Sequence, residues 1–294
     1  MHWNKIALVG VGLLGGSLGL ALKQRRLARQ VVGFVRRALS IVECEEKGAV
    51  DQATLDLRTA VEGADLIVLC TPIAQMRPLA GQMRAFLKPG ATVTDVGSVK
   101  ASVVTDVEAV LRETQAHFVG SHPMAGAEKM GVAFAHADLF KDAVCVVTPT
   151  QETAPDALAG VEGLWQSVGG HLLRLAPQAH DELVSRSSHL PHVVAAGLTN
   201  LVLNPKHPPE QAALCANGFR DTTRIASGSP EMWRDIALAN RLNLSQALRR
   251  LIENLQEFDQ ALDRQEEKAI TTFFESARQR RDAWSTRAIT TSPE

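Results

Sequence analysis

Tyrosine is absent from this chain of 294 residues. An enzyme that deprotonates an alcohol with a Tyr–Lys pair is thereby excluded, and any base must be another side chain. Cysteine is sparse. Cys44, Cys70, Cys145 and Cys215 are far apart and form no C-x-x-C pair, so neither zinc nor a disulfide framework is suggested and no metal is expected. There is no excess of either charge: 31 Lys and Arg face 32 Asp and Glu, and a net charge of −1 draws the chain to neither nucleic acid nor an acidic membrane. An anionic substrate would need local arginines. A long uniform apolar run is also missing. The uncharged stretch 6–22 carries five glycines and no A-x-A-like cleavage site before Lys23, and is not apolar enough throughout to span a membrane. With no export signal, a reducing cytoplasm is the expected compartment.

What is present is ordinary globular composition, 45% hydrophobic and 21% charged, in a chain long enough for two domains. The organising stretch is 5–22. Ile6, Ala7, Leu8 and Val9 form a short apolar run suited to a strand buried on both faces. Gly10, Gly12 and Gly15 then give G-x-G-x-x-G, with Leu13 and Leu14 opening a helix. Gly10 permits the tight turn, Gly12 lets the backbone approach a pyrophosphate, and Gly15 lets helix pack closely on strand. Phosphates would sit on the exposed N–H groups at the helix start.

A second strand ends at Phe34, where an NAD enzyme usually places Asp or Glu for the ribose 2′-hydroxyl, about twenty residues past the last fingerprint glycine. Here Val35 stands at that point and Arg36 and Arg37 follow, so a 2′-phosphate meets guanidinium groups and no carboxylate. The alternative is two solvated arginines in a surface turn. Further buried-strand patterns at 64–70 and 91–96, with helical patterns between them, predict a doubly wound parallel sheet. Ligands of such sheets lie beyond the carboxyl ends of the strands, so Thr71, Pro72, Gly97 and Ser98 are expected to face the cofactor. His122, before a proline, is placed at a strand end or in a loop.

Two last strands at 142–148 and 172–175 flank a helix at about 156–168. The nucleotide-binding domain is expected to span 1–176 and an all-helical domain 177–294. In the latter, 188–192 opens an apolar helix, 204–209 breaks it, 219–224 is a polar segment, and about 240–281 reads as one long helical stretch with an apolar stripe. Residues 290–294 are expected to be disordered.

Five motifs in order, G-V-G-L-L-G-G-S at 10–17, D-V-G-S-V-K at 95–100, G-S-H-P-M-A-G at 120–126, H-L-P-H at 189–192 and D-T-T-R-I-A at 221–226, carry a family resemblance. Over nearly its whole length the chain resembles the prephenate and arogenate dehydrogenases of tyrosine biosynthesis. The resemblance implies a Rossmann-like domain followed by a helical one, and oxidative decarboxylation of a cyclohexadienol with hydride passing to NAD(P). It implies His122 as the catalytic base, Ser98 as the serine near histidine and nicotinamide, and Arg224 and His192 as substrate-binding residues. Glu128 and Trp233 fall on positions near the pocket, while His180 and His189 read as helix-end or supporting residues. Val35 departs from the NAD pattern, so NADP is favoured over NAD. A homodimer through the helical domain is expected. Two other readings stay open: a two-domain β-hydroxyacid dehydrogenase, which would use a lysine of its helical domain, and a non-catalytic dinucleotide sensor.

Overall fold

A computed structural model describes residues 2–127 and 129–290, with backbone alone from 286. Among these residues the chain forms two compact units, one ending at Arg241 and the other beginning at Leu242.

In the first unit, eight strands make one sheet: β1 (Trp3–Val9), β2 (Ala28–Phe34), β3 (Gln52–Thr54), β4 (Leu66–Leu69), β5 (Thr92–Asp95), β6 (His117–Pro123), β7 (Val144–Thr148) and β8 (His171–Arg174). Their spatial order is β3-β2-β1-β4-β5-β6-β7-β8. The sheet from β3 to β6 is parallel. β7 runs antiparallel to β6, and β8 parallel to β7. Parallel strands need a crossover helix, and among the described residues the segment between β6 and β7 holds only a 3-10 turn (Val132–Phe134), so the chain returns in the opposite sense.

Six helices join the strands: α1 (Leu13–Gln24), α2 (Ala38–Glu46), α3 (Leu57–Val61), α4 (Ile73–Met83), α5 (Ala101–Leu111) and α6 (Pro155–Ser167). Alternation along β1 sorts its side chains. Ile6 and Leu8 enter a core with Leu18 and Leu22 of α1 and Trp165 of α6, while Ala7 and Val9 enter another with Met76 of α4 and Val107 of α5. Ile6 through Val9 are wholly buried, which is why they read as a continuous apolar run. Full burial of Leu18 and Leu22 stabilises α1 on the sheet by roughly 1.5–3 kcal/mol each. Strand order reverses between β1 and β4, opening a crevice at their carboxyl ends.

The same unit continues with α7 (Pro177–Val184), a π turn (Ser185–His189), α8 (Leu190–Val202), α9 (Glu210–Ala213), α10 (Asn217–Thr223), a 3-10 turn (Arg224–Ser227) and α11 (Pro230–Ala239). Pro191 carries no N–H to bond the preceding turn, and the backbone there widens into the π geometry. Arg224 lies where α10 passes into the 3-10 turn, at the end of the polar segment 219–224.

The second unit consists of α12 (Arg241–Asp263), from Leu242 on, and α13 (Glu267–Thr290). The single helical stretch expected over 240–281 is broken: Gln265 adopts φ 53°, with Gln265 N–H donating to Leu262 O and Glu266 N–H to Ala261 O. These two bonds form a Schellman motif that closes α12 without glycine. Phe258 of α12 packs on Phe273 and Phe274 of α13. The expected disordered tail lies outside the described residues, apart from Thr290, which ends α13.

Candidate active site

At the carboxyl end of β1 the chain turns through Gly10, with φ 99° and an N–H bonded to Phe34 O. A Cβ on Gly10 would fall 2.9 Å from Cys70 O, and one on Gly15 would fall 2.1 Å from Gly10 O, so both positions must be glycine for β1, α1 and β4 to meet. A Cβ on Gly12 would meet nothing within 4 Å. That glycine therefore satisfies no packing need; the open space over it is a cradle for a ligand. No side chain caps α1 and no acidic residue lies in its first turn, leaving the N–H groups of Leu13, Leu14 and Gly15 for an anion. Beside the cradle Thr71 Oγ1 is buried without a hydrogen-bond partner, and Pro72 precedes α4. These features fit a dinucleotide.

At the end of β2, Val35 turns into the core, 5% exposed. What it brings to the site is the absence of a carboxylate. Arg36 and Arg37 are exposed; Arg37 donates to Ser40 Oγ at 3.3 Å and lies 4.0 Å from Glu43 Oε2.

Beyond β5 and β6 lies a buried polar cluster. Lys100, with no exposure, pairs with Asp95 and donates to Ser121 O at 2.8 Å. Asp95 also accepts from Gly97 N–H at 2.8 Å and Ser121 N–H at 3.0 Å. Burying two charges is costly, and these backbone donors supply the bonds that make the pair tolerable. The pair locks the turn 95–100 against β6, placing half-buried Ser98 at its crest.

His122, at the end of β6, is buried, with Nδ1 2.9 Å from His180 Nε2. His180 Nδ1 lies 2.8 Å from Asp181 Oδ1, and that carboxylate takes N–H donors from Lys100 at 2.7 Å and Ala101 at 2.9 Å. Burial holds the His122 imidazole well below its ordinary pKa, and neighbouring His180, Lys100 and His189 push the same way. His189 is wholly buried and pulled down to about 4 by that burial. Its Nδ1 faces Asn240 Nδ2 at 3.2 Å, and the same amide donates to Asp181 O at 2.8 Å. His189 Nε2 has no partner of ordinary hydrogen-bond geometry, although the backbone of Ser98 faces the ring closely enough to favour its charged form.

His192, half-buried on α8, stacks on Trp233 of α11 with ring centroids 3.7 Å apart, and Nδ1–H donates to Ser188 O at 3.0 Å. Trp233 Nε1 is buried without a partner. Gly228 closes the turn that Arg224 begins, and it packs so near the indole that a Cβ there would lie 2.6 Å from Nε1. The turn that Arg224 begins packs against α8, the helix that carries His192, and Arg224 itself is exposed. Glu128 lies outside the described residues.

The residues that sequence reasoning left without a role are Asp181, Asn240 and the Asp95–Lys100 pair, while His180 was read only as a helix-end or supporting residue. One signal was available: Asp and Lys flanking the otherwise uncharged V-G-S-V can lie together only as a pair if that turn is buried.

The family model for the prephenate dehydrogenase nucleotide-binding domain matches residues 18–174, and the model for its dimerization domain matches 176–276. The chain is 32% identical over 281 residues to a prephenate dehydrogenase of Bacillus subtilis, covering 95% of this chain and 76% of that one. It is 31% identical over 287 residues to a cyclohexadienyl dehydrogenase of Zymomonas mobilis, covering 97% of each. The crystal structure of prephenate dehydrogenase from Aquifex aeolicus in complex with hydroxyphenyl propionate and NAD+ superposes with a TM-score of 0.90 at 31% identity, over 96% of this chain and 99% of that one. The chain belongs to the prephenate dehydrogenase family.

Proposed function

We propose that this protein carries out oxidative decarboxylation of prephenate, arogenate or both, with His122 as base and Arg224 and His192 holding the substrate. The observation that carries the reading is His122 itself: a buried imidazole, kept neutral, at the ligand edge of a dinucleotide-binding sheet. Removing hydride from a carbinol carbon becomes easier as its hydroxyl loses a proton, and a neutral imidazole accepts that proton. When bound, the nicotinamide ring supplies the hydride acceptor. Loss of carbon dioxide from the resulting dienone leaves its electron pair in the ring, which becomes a phenolate. His122 then returns its proton to the phenolate oxygen, so the step closes with no net proton released. Ser98 stands at the crest of the turn 95–100 to hydrogen-bond the hydroxyl, and Arg224 can grip a carboxylate with two parallel N–H donors. Glu128 and Trp233 complete the proposed pocket.

Gly10, Gly12, Leu13, Leu14, Gly15, Thr71, Pro72, Gly97 and Ser98 form the proposed cofactor edge. NADP is proposed as the better cofactor, because Arg36 and Arg37 lie exposed past β2 and Val35 brings no carboxylate. The proposed functional division falls at 176/177, between β8 and α7, in cytoplasmic protein. A homodimer through the helical part is supported by Leu242, Ile252, Leu255, Leu262, Phe274 and Trp284, exposed apolar side chains on α12 and α13.

The test is nicotinamide absorbance with prephenate and with arogenate, comparing the protein with His122→Asn. Asparagine keeps a hydrogen bond but cannot take the proton. Turnover should fall about 10²–10⁴-fold with cofactor binding intact. Near-normal turnover at neutral pH would mean that the base lies elsewhere.

A further inference from the structure

Beyond the base itself, the structure contains a chain of three side chains that determines which nitrogen of that base is free. It runs from the amino end of α5 through Asp181 and His180 to His122. Asp181 Oδ1 accepts from Lys100 N–H and lies 2.8 Å from His180 Nδ1, while Oδ2 accepts from Ala101 N–H. A carboxylate whose two oxygens each take a backbone N–H at a helix start is an acceptor toward its third neighbour. His180 Nδ1 must therefore carry hydrogen and donate. In a neutral imidazole one nitrogen donates and the other accepts, so His180 Nε2 is a lone pair. It faces His122 Nδ1 at 2.9 Å, and two lone pairs cannot share a hydrogen bond. His122 Nδ1 thus carries hydrogen. The lone pair of His122 is left on Nε2, the nitrogen opposite the relay.

We propose that His180 and Asp181 are positioning residues that hold His122 as its Nδ1–H tautomer, presenting Nε2 as the proton acceptor and stabilising the imidazolium formed when the substrate hydroxyl is deprotonated. The proposal rests on the reading of His122 as base. Without the relay the imidazole would divide between two tautomers and rotate, and a proton on Nε2 would make His122 a donor where an acceptor is needed. The parts come from distant stretches: His180 and Asp181 from α7, His122 from β6, and the two backbone donors at Lys100 and Ala101 from the start of α5. Asn240 secures the α7 backbone by donating to Asp181 O. Other groups facing His122 are Lys100, which is paired with Asp95, and His189. Neither bonds to its ring.

The test is a double-mutant cycle with His180→Leu and His122→Asn, read as kcat and as KM for prephenate with the cofactor saturating. His180→Leu should lower kcat about 10²-fold with little change in that KM, and on the His122→Asn background it should cost nothing further, since its effect acts through the imidazole. Equal losses on both backgrounds would overturn the proposal. So would a His180→Leu protein with normal kcat. His180→Gln guards against a folding defect, because its carboxamide oxygen can accept from His122 Nδ1–H; it should recover at least tenfold over His180→Leu, and no recovery in a folded protein would count against the relay. Independently, ¹⁵N spectra of histidine-labelled protein, with the His122 signals assigned by their loss in His122→Asn, should place hydrogen on Nδ1 in the wild type and a mixed pattern in His180→Leu. Hydrogen on Nε2 in the wild type would refute the assignment. If His122→Asn instead keeps full turnover, the base assignment fails first, and the spectra still decide the tautomer.

Discussion

At the scale of single residues, the site divides into groups fixed by burial and groups that wait at the surface. His122, His180 and His189 are buried and bonded into a network, whereas Arg224, Arg36 and Arg37 are exposed. Exposed arginines contribute little to stability, so a change in ligand affinity on their substitution is not masked by unfolding. Arg224→Lys keeps the charge but loses the planar two-donor fork, and should raise the KM for prephenate or arogenate. Arg224→Ala should raise it more, by roughly 10- to 100-fold, or about 1.4–2.8 kcal/mol. Cofactor affinity should not change in either variant. An alanine variant with a normal substrate KM would make Arg224 a structural residue of the turn. The Arg36→Ala/Arg37→Ala double variant should raise the KM for NADP and leave that for NAD nearly unchanged. Equal weakening of both would show that these guanidinium groups contact something other than a 2′-phosphate.

At the scale of elements, the turn from β1 to α1 separates packing from ligand recognition in adjacent glycines. An added methyl at Gly15 would collide with Gly10 O, while one at Gly12 would enter open space at a φ of −92° that alanine also adopts. Gly15→Ala should therefore lower stability by about 1–3 kcal/mol and lose cofactor binding with it. Gly12→Ala should leave the melting temperature unchanged while weakening dinucleotide binding at least tenfold. A Gly12→Ala protein with wild-type cofactor affinity would remove the cradle. These glycines were legible in sequence because backbone geometry restricts the residue type locally. The central strands were legible too, since burial on both faces leaves a continuous apolar signature. β3 was not: it has three residues, of which only Ala53 is buried. The end of α12 at Gln265 was also missed, because its left-handed residue is not glycine and no proline follows. The relay was invisible for another reason. His122 and His180 stand 58 residues apart, and a lone histidine in sequence does not announce its partner.

At the scale of the whole molecule, the neutral histidines tie stability to pH. His122 is held well below the ordinary imidazole value and His189 at about 4, in both cases chiefly by burial. In the unfolded chain both titrate near ~6.5. Above that pH neither the folded nor the unfolded form holds these protons, and they do not affect the balance. Between about 6.5 and 4 the unfolded form takes a proton at His189 that the folded form refuses, so stability falls as pH falls by about 1.4 kcal/mol per pH unit, and His122, also held low, adds to the fall in the same direction. Glu108, which burial holds above its ordinary value, binds its proton more tightly when folded and offsets part of the loss at the lower end. The urea midpoint, followed through the fluorescence of buried Trp165, should therefore be flat from pH 8 to 7 and decline through pH 6 and 5. His122→Asn removes one of the histidines that burial holds low, beside His189 and His192, and should make that decline shallower, while leaving the plateau at neutral pH displaced only by its own change in packing. A midpoint that does not move between pH 6.5 and 5 would mean that these imidazoles accept protons within the fold. A neutral base at His122 would then no longer be tenable at mildly acid pH.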